Sequence, residues 1–220
     1  MADSPRDQTA RVRAGYNILS RAYRADTADE ATQRQYAEWL GFVRDRVPVG
    51  GDVLDLGCGN GIPASKWLSD NGFRVTGVDL SDTMVDRARE LVPGATFLRG
   101  DVAQCEEVDF GAATFDAVVS FFALIHVPVA DQAGVIARIG RWLRPGGLFL
   151  ATVGHLAWTG AETDWLGGGA DMWWSHPDAA TYRAWIELAG LAIDEERFVP
   201  EGSGGHTLFL ATRTPGRLSP

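Results

Sequence analysis

The chain has 220 residues, of which 45% are hydrophobic and 22% are charged, and its formal net charge is −9. This length and composition are typical of a globular protein with a sizeable core, and we expect residues 1–220 to form one domain. An acidic chain lacks the general basic footprint of nucleic-acid-binding proteins, so we expect no nucleic-acid partner.

Cysteine content and hydropathy exclude further classes of protein. Two cysteines are too few for a disulfide framework or a cysteine-rich metal site, and we expect no bound metal. No apolar run reaches the roughly 18 residues of a membrane span, and the first residues lack the apolar centre of a secretory signal. These features predict a cytoplasmic protein without membrane contact, as a monomer or homodimer.

Hydrophobic spacing predicts the first elements in chain order. Residues 6–46 mix charges with spaced apolar side chains, which indicates two helices within an N-terminal helical cap over residues 1–47. Short apolar strands then alternate with helices, and Ser81 is the expected cap of the second of these helices. The predicted strands cover 52–56, 74–79, 95–101, 115–124 and 148–153. The predicted helices cover 62–70, 82–91 and 131–143. A turn is predicted for "RPGG" at 144–147.

The C-terminal part of the sequence changes the pattern. A helix over 179–189 ends at Gly190, and two apolar segments, 191–199 and 206–213, follow with only a short turn between them. That connection is too short for a helical crossover, so the two strands are antiparallel. We therefore predict an α/β fold with a doubly wound, seven-stranded, mostly parallel sheet, the last strand antiparallel and helices on both faces.

Three alternate glycines follow the first predicted strand in "VLDLGCGNGIPASKWL". Gly57, Gly59 and Gly61 permit positive φ and let a ligand approach the backbone at the carboxyl end of the sheet. A dinucleotide fingerprint, G-x-G-x-x-G, requires a third glycine at the position of Ile62. The observed pattern is instead D-x-G-x-G-x-G. Asp79 ends the second strand, where a carboxylate can accept both hydroxyls of a ribose, although an NAD enzyme also has an acid there.

These segments together resemble the class I methyltransferases that depend on S-adenosylmethionine (SAM). The resemblance covers about residues 50–155 and rests on the glycine loop, "VTGVDLS", "RGDVAQ", and the pair "FDAVVS" and "LRPGGLFLAT". It implies SAM as the cofactor and S-adenosylhomocysteine as the product, with Asp79 on the ribose and Asp101 near the adenine. The cofactor-binding residues that it implies are Tyr16, Tyr23, Asp55, Gly57, Gly59, Gly61, Asp79, Leu80, Met84, Asp101, Val102 and Phe121.

Methyl transfer needs an aligned acceptor, and it needs a base only if the acceptor atom loses a proton. Histidine is the default proton acceptor near neutral pH, and His126 and His155 follow the fourth and fifth strands on the ligand side of the sheet. His126 is our first candidate for the base, and His155 and His176 are the other catalytic candidates.

Residues 154–178, which we call the lid, carry four of the eight tryptophans and three consecutive glycines. One interpretation is a loop that packs its own aromatic side chains. The other is a substrate lid whose rings contact a planar, hydrophobic or cationic acceptor. The substrate-binding candidates are Trp158, Trp165, Trp173, Trp174 and His206.

Several motifs of particular methyltransferase subfamilies are missing from the sequence, and their absence limits the class of methyl acceptor. The single lysine excludes a ribose-methylating lysine tetrad, and "SFFA" lacks the Pro-Pro-aromatic motif of base-amino DNA methyltransferases. The strand-four aspartate of metal-dependent catechol enzymes and the paired glutamates of arginine methyltransferases are also missing. We predict metal-independent methylation of oxygen, nitrogen or carbon in a small molecule, with a secondary metabolite favoured by the aromatic lid. A non-catalytic SAM-binding regulator and an NAD-dependent oxidoreductase remain as alternatives.

Overall fold

The structure, a computed structural model, describes residues 4–104 and 108–215. Two helices precede the sheet, α1 (Pro5–Tyr23) and α2 (Glu30–Arg46). Ser4 begins α1 with a capping box, since its hydroxyl accepts from the Asp7 N–H while the Asp7 carboxylate accepts from the Ser4 N–H. Local capping chemistry therefore sets where the N-terminal helices begin.

Strands and helices alternate after α2. The first eight of these elements are β1 (Asp52–Leu56), α3 (Ala64–Asp70), β2 (Arg74–Asp79), α4 (Asp82–Leu91), β3 (Thr96–Arg99), β4 (Phe115–Ser120), α5 (Val129–Trp142) and β5 (Leu143–Gly154). The last five are β6 (Trp158–Glu162), β7 (Met172–His176), α6 (Ala179–Leu188), β8 (Leu191–Glu201) and β9 (Gly204–Arg213). None of the helices in the described ranges is long and apolar enough to cross a membrane.

Seven strands form one sheet in the order β3-β2-β1-β4-β5-β9-β8. Strands β1 to β5 are parallel, whereas β9 runs antiparallel to both β5 and β8. The predicted fold is confirmed, including the antiparallel last strand. The chain moves outward from β1 to β3 and then returns to β4 on the other side of β1, so the strand order reverses between β1 and β4.

Apolar side chains cover both faces of the sheet. On one face, α5 and α6 bury Trp142 and Tyr182 against Phe149 and Phe209 of the sheet. On the other face, α2 and α3 pack Leu40 and other apolar residues onto the sheet. Because both faces are covered, the free edge of the sheet at the carboxyl ends of its parallel strands is where a ligand can reach the backbone.

The structure differs from the predicted element boundaries most clearly in three places. Helix α3 begins at Ala64 rather than at residue 62, because Pro63 is its N-cap. Strand β4 ends at Ser120 rather than at residue 124, and Phe122 in the following loop has a φ of 57°. The "RPGG" segment lies within β5 as an irregularity, since the register with β4 shifts between Phe115 and Ala117.

The lid contains a β-hairpin that the sequence pattern did not predict. Strands β6 and β7 pair antiparallel from Trp158↔His176 to Glu162↔Met172. Gly15 of α1 packs against this hairpin, because a Cβ at that position would lie 2.9 Å from the Met172 methyl carbon. The lid is therefore a small second sheet that contacts the N-terminal helix.

Candidate active site

A cavity opens where the strand order reverses, at the carboxyl ends of β1, β2 and β4. Its volume is about 90 Å³, and its walls come from α1, the glycine loop, the β2 and β3 ends and the segment after β4. Ligand sites usually have volumes of roughly 300–1,000 Å³. This cavity alone is therefore smaller than an ordinary cofactor site, and two further cavities share lining residues with it, one through Leu80 and Asp101 and the other through Gly57 and Gly59. Eleven predicted site residues line this cavity: Tyr16, Tyr23, Gly57, Gly59, Asp79, Leu80, Met84, Asp101, Val102, Phe121 and His126.

The glycine loop leaves β1 with φ values that favour glycine. Gly57 has a φ of 76°, and a Cβ there would lie 2.1 Å from the Ala123 Cβ. Gly59 has a φ of 54° and no atom within 4 Å of its Cβ position, so its backbone is open to a ligand. Gly61 does not line the cavity, and its Cβ position is 3.0 Å from Val92. In this structure Gly61 packs against Val92 and Phe97.

Asp79 holds the glycine loop against the end of β2. Its carboxylate accepts from the Gly59 N–H at 2.8 Å and from the Ser81 N–H at 2.9 Å. Burial raises the pKa of Asp79, and these two N–H donors oppose that shift. The carboxylate therefore lies at the cavity wall, oriented by backbone and available for further donors on its remaining lone pairs.

Asp55 lies in a smaller cavity that adjoins the first through Gly57, Gly59 and Tyr23. The Ser65 hydroxyl donates to its carboxylate at 2.5 Å. Burial raises the pKa of Asp55 to about 7, opposed by the Ser65 bond and increased by the charge of Asp79. Two buried acids whose charges interact favour a cationic ligand group nearby.

Arg24 lines the same small cavity and was not predicted from the sequence. Its guanidinium carbon lies 5.0 Å from the Tyr23 ring centroid. The backbone around it is held by two donors, since Arg87 binds the Arg24 carbonyl at 2.8 Å and Asn60 binds the Ala25 carbonyl at 2.9 Å. An arginine and a carboxylate, Asp55, thus line one small cavity.

The opposite end of the main cavity is lined by Leu80, Met84, Asp101 and Val102. Met84 is buried, and the Asp101 carboxylate accepts from the Ala103 N–H at 2.8 Å. Apolar walls with one carboxylate at the end suit a flat ring that carries an amino donor.

His126 joins α1 to the lid at the cavity wall. Its Nε2 is 2.8 Å from the Tyr16 hydroxyl, and its Nδ1 is 2.8 Å from the Trp173 carbonyl. A carbonyl only accepts, so Nδ1 carries the proton and Nε2 accepts from Tyr16. Burial lowers the pKa of His126 to about 4, so the ring is neutral. Both ring nitrogens are engaged in this conformation.

The lid tryptophans form an aromatic cluster against this wall. Trp165 lies 5.9 Å from Tyr16 and 5.2 Å from Tyr23, and Trp174 lies 5.5 Å from His126, all between ring centroids. Trp158 contacts Trp174 at 5.8 Å. None of the four predicted tryptophans is among the residues that line the main cavity. Trp165 and Trp174 pack behind its wall, and Trp173 contributes the carbonyl that binds His126.

The other three histidines do not line the main cavity. His155 Nδ1 is 3.0 Å from the Thr207 hydroxyl, and its ring packs on half-exposed Phe198, which places it away from the cavity wall. The His176 ring lies over Gly154, and the His206 ring contacts the ring of Phe122, a residue that lines the cavity.

Comparison with known proteins identifies the family. A family model described as "Methyltransferase domain" matches residues 53–147. A ubiquinone biosynthesis O-methyltransferase of Hahella chejuensis is 31% identical over 172 residues, covering 72% of this chain and 70% of that protein. This chain belongs to the class I SAM-dependent methyltransferases. SAM is the cofactor of this family, as the resemblance of the sequence motifs implied.

Two further comparisons define how far the similarity of this chain to known proteins extends. A sterol 24-C-methyltransferase of Yarrowia lipolytica is 35% identical over 137 residues, covering 60% of this chain and 34% of that protein. The chain spans less than half the length of the first curated relatives that it matches. A SAM-dependent methyltransferase structure from Mesorhizobium loti is 26% identical, with a TM-score of 0.64, covering 82% of this chain and 100% of that one.

Proposed function

We propose that this methyltransferase transfers a methyl group from SAM to an oxygen, nitrogen or carbon atom of a small, flat or apolar molecule without a metal. The main support is the Asp79 carboxylate, which is held by the Gly59 N–H at the mouth of a cavity between β1 and β4. Relatives named for quinone, rifamycin and sterol methylation support a small-molecule acceptor.

The residues around the two cavities fit the parts of SAM. The carboxylate of Asp79 has lone pairs for the ribose hydroxyls, and Asp101 lies where it can accept from the adenine amino group. Asp55 and Arg24 have charges opposite to those of the ammonium and carboxylate ends of the amino-acid part. Bound SAM supplies an electrophilic methyl group, and the aromatic walls of Tyr16 and Tyr23 exclude water from it.

The acceptor side of the site is formed by α1, the segment after β4 and the lid. Tyr16, Phe122 and His126 line the cavity on this side, and the Trp165 and Trp174 rings pack behind them. Flat aromatic walls favour a planar or apolar acceptor. The role of His126 as base stays a prediction, because its Nε2 accepts from the Tyr16 hydroxyl and its Nδ1 donates to the Trp173 carbonyl.

The experiment that tests the function is transfer of label from methyl-labelled SAM into a host-cell extract, with the products separated by mass. We expect label in the low-mass fraction. Label in protein or nucleic acid would overturn the proposed acceptor class. Binding of SAM or S-adenosylhomocysteine with no transfer to any fraction would favour the non-catalytic regulator, and binding of NAD without SAM would favour the oxidoreductase.

Asp55 makes the affinity for SAM depend on pH. Its pKa of about 7 in the ligand-free protein should fall when an ammonium group binds beside it, so binding releases a proton below that pH. We expect affinity to weaken as the pH falls below 7, by up to about tenfold per pH unit. Calorimetry in two buffers with different ionisation enthalpies measures the released proton.

The Asp55→Asn variant is the control for this prediction. It should bind SAM weakly and without proton release. Because burial raises the folded-state pKa of Asp55 above 3.8, the ligand-free wild type loses stability as the pH rises from 3.8 to about 7, and the variant lacks that loss. An affinity for SAM that stays constant between pH 6 and 7 in the wild type would remove Asp55 from contact with the ammonium group.

A further inference from the structure

A buried arginine of α4 holds the C-terminal end of α1. Arg87 is 5% exposed, and its guanidinium donates four hydrogen bonds across the contact between the two helices. Nη1 donates to the carbonyl and the hydroxyl of Ser20 at 2.7 and 2.6 Å, and Nη2 donates to the Arg24 carbonyl at 2.8 Å and to the Asp26 carboxylate at 2.6 Å. Arg24 is the C-cap of α1, where a carbonyl has no donor within the helix. Arg87 supplies that donor.

Asp26 balances the charge of Arg87. The Arg87 side chain is buried, whereas the Asp26 side chain is about half exposed, and their ion pair spans 2.6 Å. The hydrogen bond from Arg87 lowers the pKa of Asp26, so the carboxylate is ionised near neutral pH. A buried cation that loses its anion is strongly destabilised. The pair therefore keeps the loop that follows α1 attached to α4.

The glycine loop holds the same stretch of backbone. The buried Asn60 side chain donates to the Ala25 carbonyl at 2.9 Å, and its amide oxygen accepts from the Ile62 N–H at 3.2 Å. Residues 24–29 between α1 and α2 are not helical, so their backbone lacks the repeating hydrogen bonds of a helix. Arg87 and Asn60 thus fix one short stretch of loop from two separate elements.

The Arg24 side chain starts from this fixed backbone and lines the small cavity together with Asp55. Its guanidinium carbon lies 5.0 Å from the Tyr23 ring centroid, and its Nη2 is 3.4 Å from the Tyr23 hydroxyl. Within residues 4–104 and 108–215, Arg24 forms no ion pair. A guanidinium that lines a cavity without an acidic partner suits a carboxylate of a ligand, which it can bind through two parallel hydrogen bonds.

We propose that Arg87, paired with Asp26, is a positioning residue that fixes the backbone of Arg24 where the Arg24 guanidinium binds the carboxylate of SAM. The inference rests on the proposed function, in which Arg24 and Asp55 bind the amino-acid part of the cofactor. A guanidinium on a free loop is ordered only during binding, which lowers affinity. Because α4 orders this loop beforehand, the site favours SAM and S-adenosylhomocysteine over adenosine derivatives that lack the amino-acid part.

The test compares two ligands that differ in the amino-acid part. S-adenosylhomocysteine contains it, whereas 5′-methylthioadenosine keeps the adenosine and the sulfur and ends in a methyl group. We expect Arg87→Met to weaken binding of S-adenosylhomocysteine by about tenfold and binding of 5′-methylthioadenosine by less than about threefold. Isothermal titration calorimetry measures both dissociation constants. Equal weakening of both ligands in the folded variant would mean that Arg87 only stabilises the fold, and would overturn the proposal.

Arg24→Met tests whether Arg87 acts through Arg24. This variant removes the guanidinium and keeps the carbonyl that Arg87 binds. We expect it to weaken binding of S-adenosylhomocysteine by about tenfold or more and to leave binding of 5′-methylthioadenosine unchanged. The double variant of Arg24 and Arg87 should bind S-adenosylhomocysteine no more weakly than Arg24→Met alone. Additive losses, or wild-type affinity in Arg24→Met, would contradict the proposal.

Two further variants control for folding and for the contact between the helices. Asp26→Asn changes a half-exposed carboxylate, so it tests the same role if Arg87→Met does not fold. We expect it to weaken binding of S-adenosylhomocysteine by about threefold or more and to spare 5′-methylthioadenosine. Arg13→Met is the matched control, because it removes another ion pair between α1 and α4, that of Arg13 with Asp82, and should leave both affinities unchanged.

The outcomes separate this inference from the proposed function. Wild-type affinity for S-adenosylhomocysteine in Asp26→Asn, or a loss in Arg13→Met as large as in Arg87→Met, overturns the positioning role and leaves the methyltransferase function intact. A wild-type protein that binds neither SAM nor S-adenosylhomocysteine overturns the proposed function itself.

Discussion

Replacing Asp79 by alanine is expected to weaken SAM binding by tenfold or more. A charged hydrogen-bond partner contributes about 1.5–3 kcal/mol. The side chain also holds the Gly59 and Ser81 N–H groups at 2.8 and 2.9 Å, so its loss loosens the glycine loop as well. Isothermal titration calorimetry with SAM and with S-adenosylhomocysteine measures the change directly.

Asp82→Ala is the matched control for Asp79→Ala. Asp82 follows three residues later in the first turn of α4, but its half-exposed carboxylate binds Arg13 rather than the cavity. We expect SAM affinity close to that of the wild type, since exposed ion pairs contribute about 0–1 kcal/mol. An unchanged dissociation constant in a folded Asp79→Ala variant would remove Asp79 from the cofactor site.

The second large effect is expected at the hydrogen bond between Tyr16 and His126. His126→Ala should lower turnover by about 10²-fold, because it releases both α1 and the lid from the cavity wall and misplaces the acceptor relative to the methyl group. SAM binding should weaken less than turnover falls. Steady-state kinetics with the labelled low-mass acceptor, together with calorimetry of SAM binding, separates the two effects.

Two milder variants separate the hydrogen bond between Tyr16 and His126 from the hydrogen bond between His126 and the Trp173 carbonyl of the lid. Tyr16→Phe removes the hydroxyl alone, and His126→Asn keeps an N–H that can reach the Trp173 carbonyl. If the bond between Tyr16 and His126 carries the effect, the double variant loses no more turnover than either single variant. Additive losses would contradict this assignment and indicate two independent roles.

The sequence by itself determined the seven-stranded sheet and the glycine loop that lines the cavity. The glycines before α3, the acid at the end of β2 and the cap at Ser81 are local features, because positive φ, strand ends and helix caps depend on a few neighbouring residues. Apolar periodicity predicted the strands of the seven-stranded sheet. The short turn before β9 predicted that β8 and β9 are antiparallel. These signals do not depend on where distant segments pack.

The tertiary structure alone decided which distant side chains meet. Tyr16 and His126 are separated by 110 positions, and Arg24 reaches the cavity beside Asp55 because Arg87 and Asn60 hold its backbone. The three consecutive glycines of the lid are not typical of strands, so the sequence did not predict the hairpin. The Trp173 carbonyl that binds His126 belongs to this hairpin. A histidine in the sequence indicates a titratable ring. Which of its two nitrogens carries the proton depends on the hydrogen-bond partners that the fold brings to the ring. For that reason the sequence named His126 as a candidate base, and only the fold showed that both of its ring nitrogens have hydrogen-bond partners.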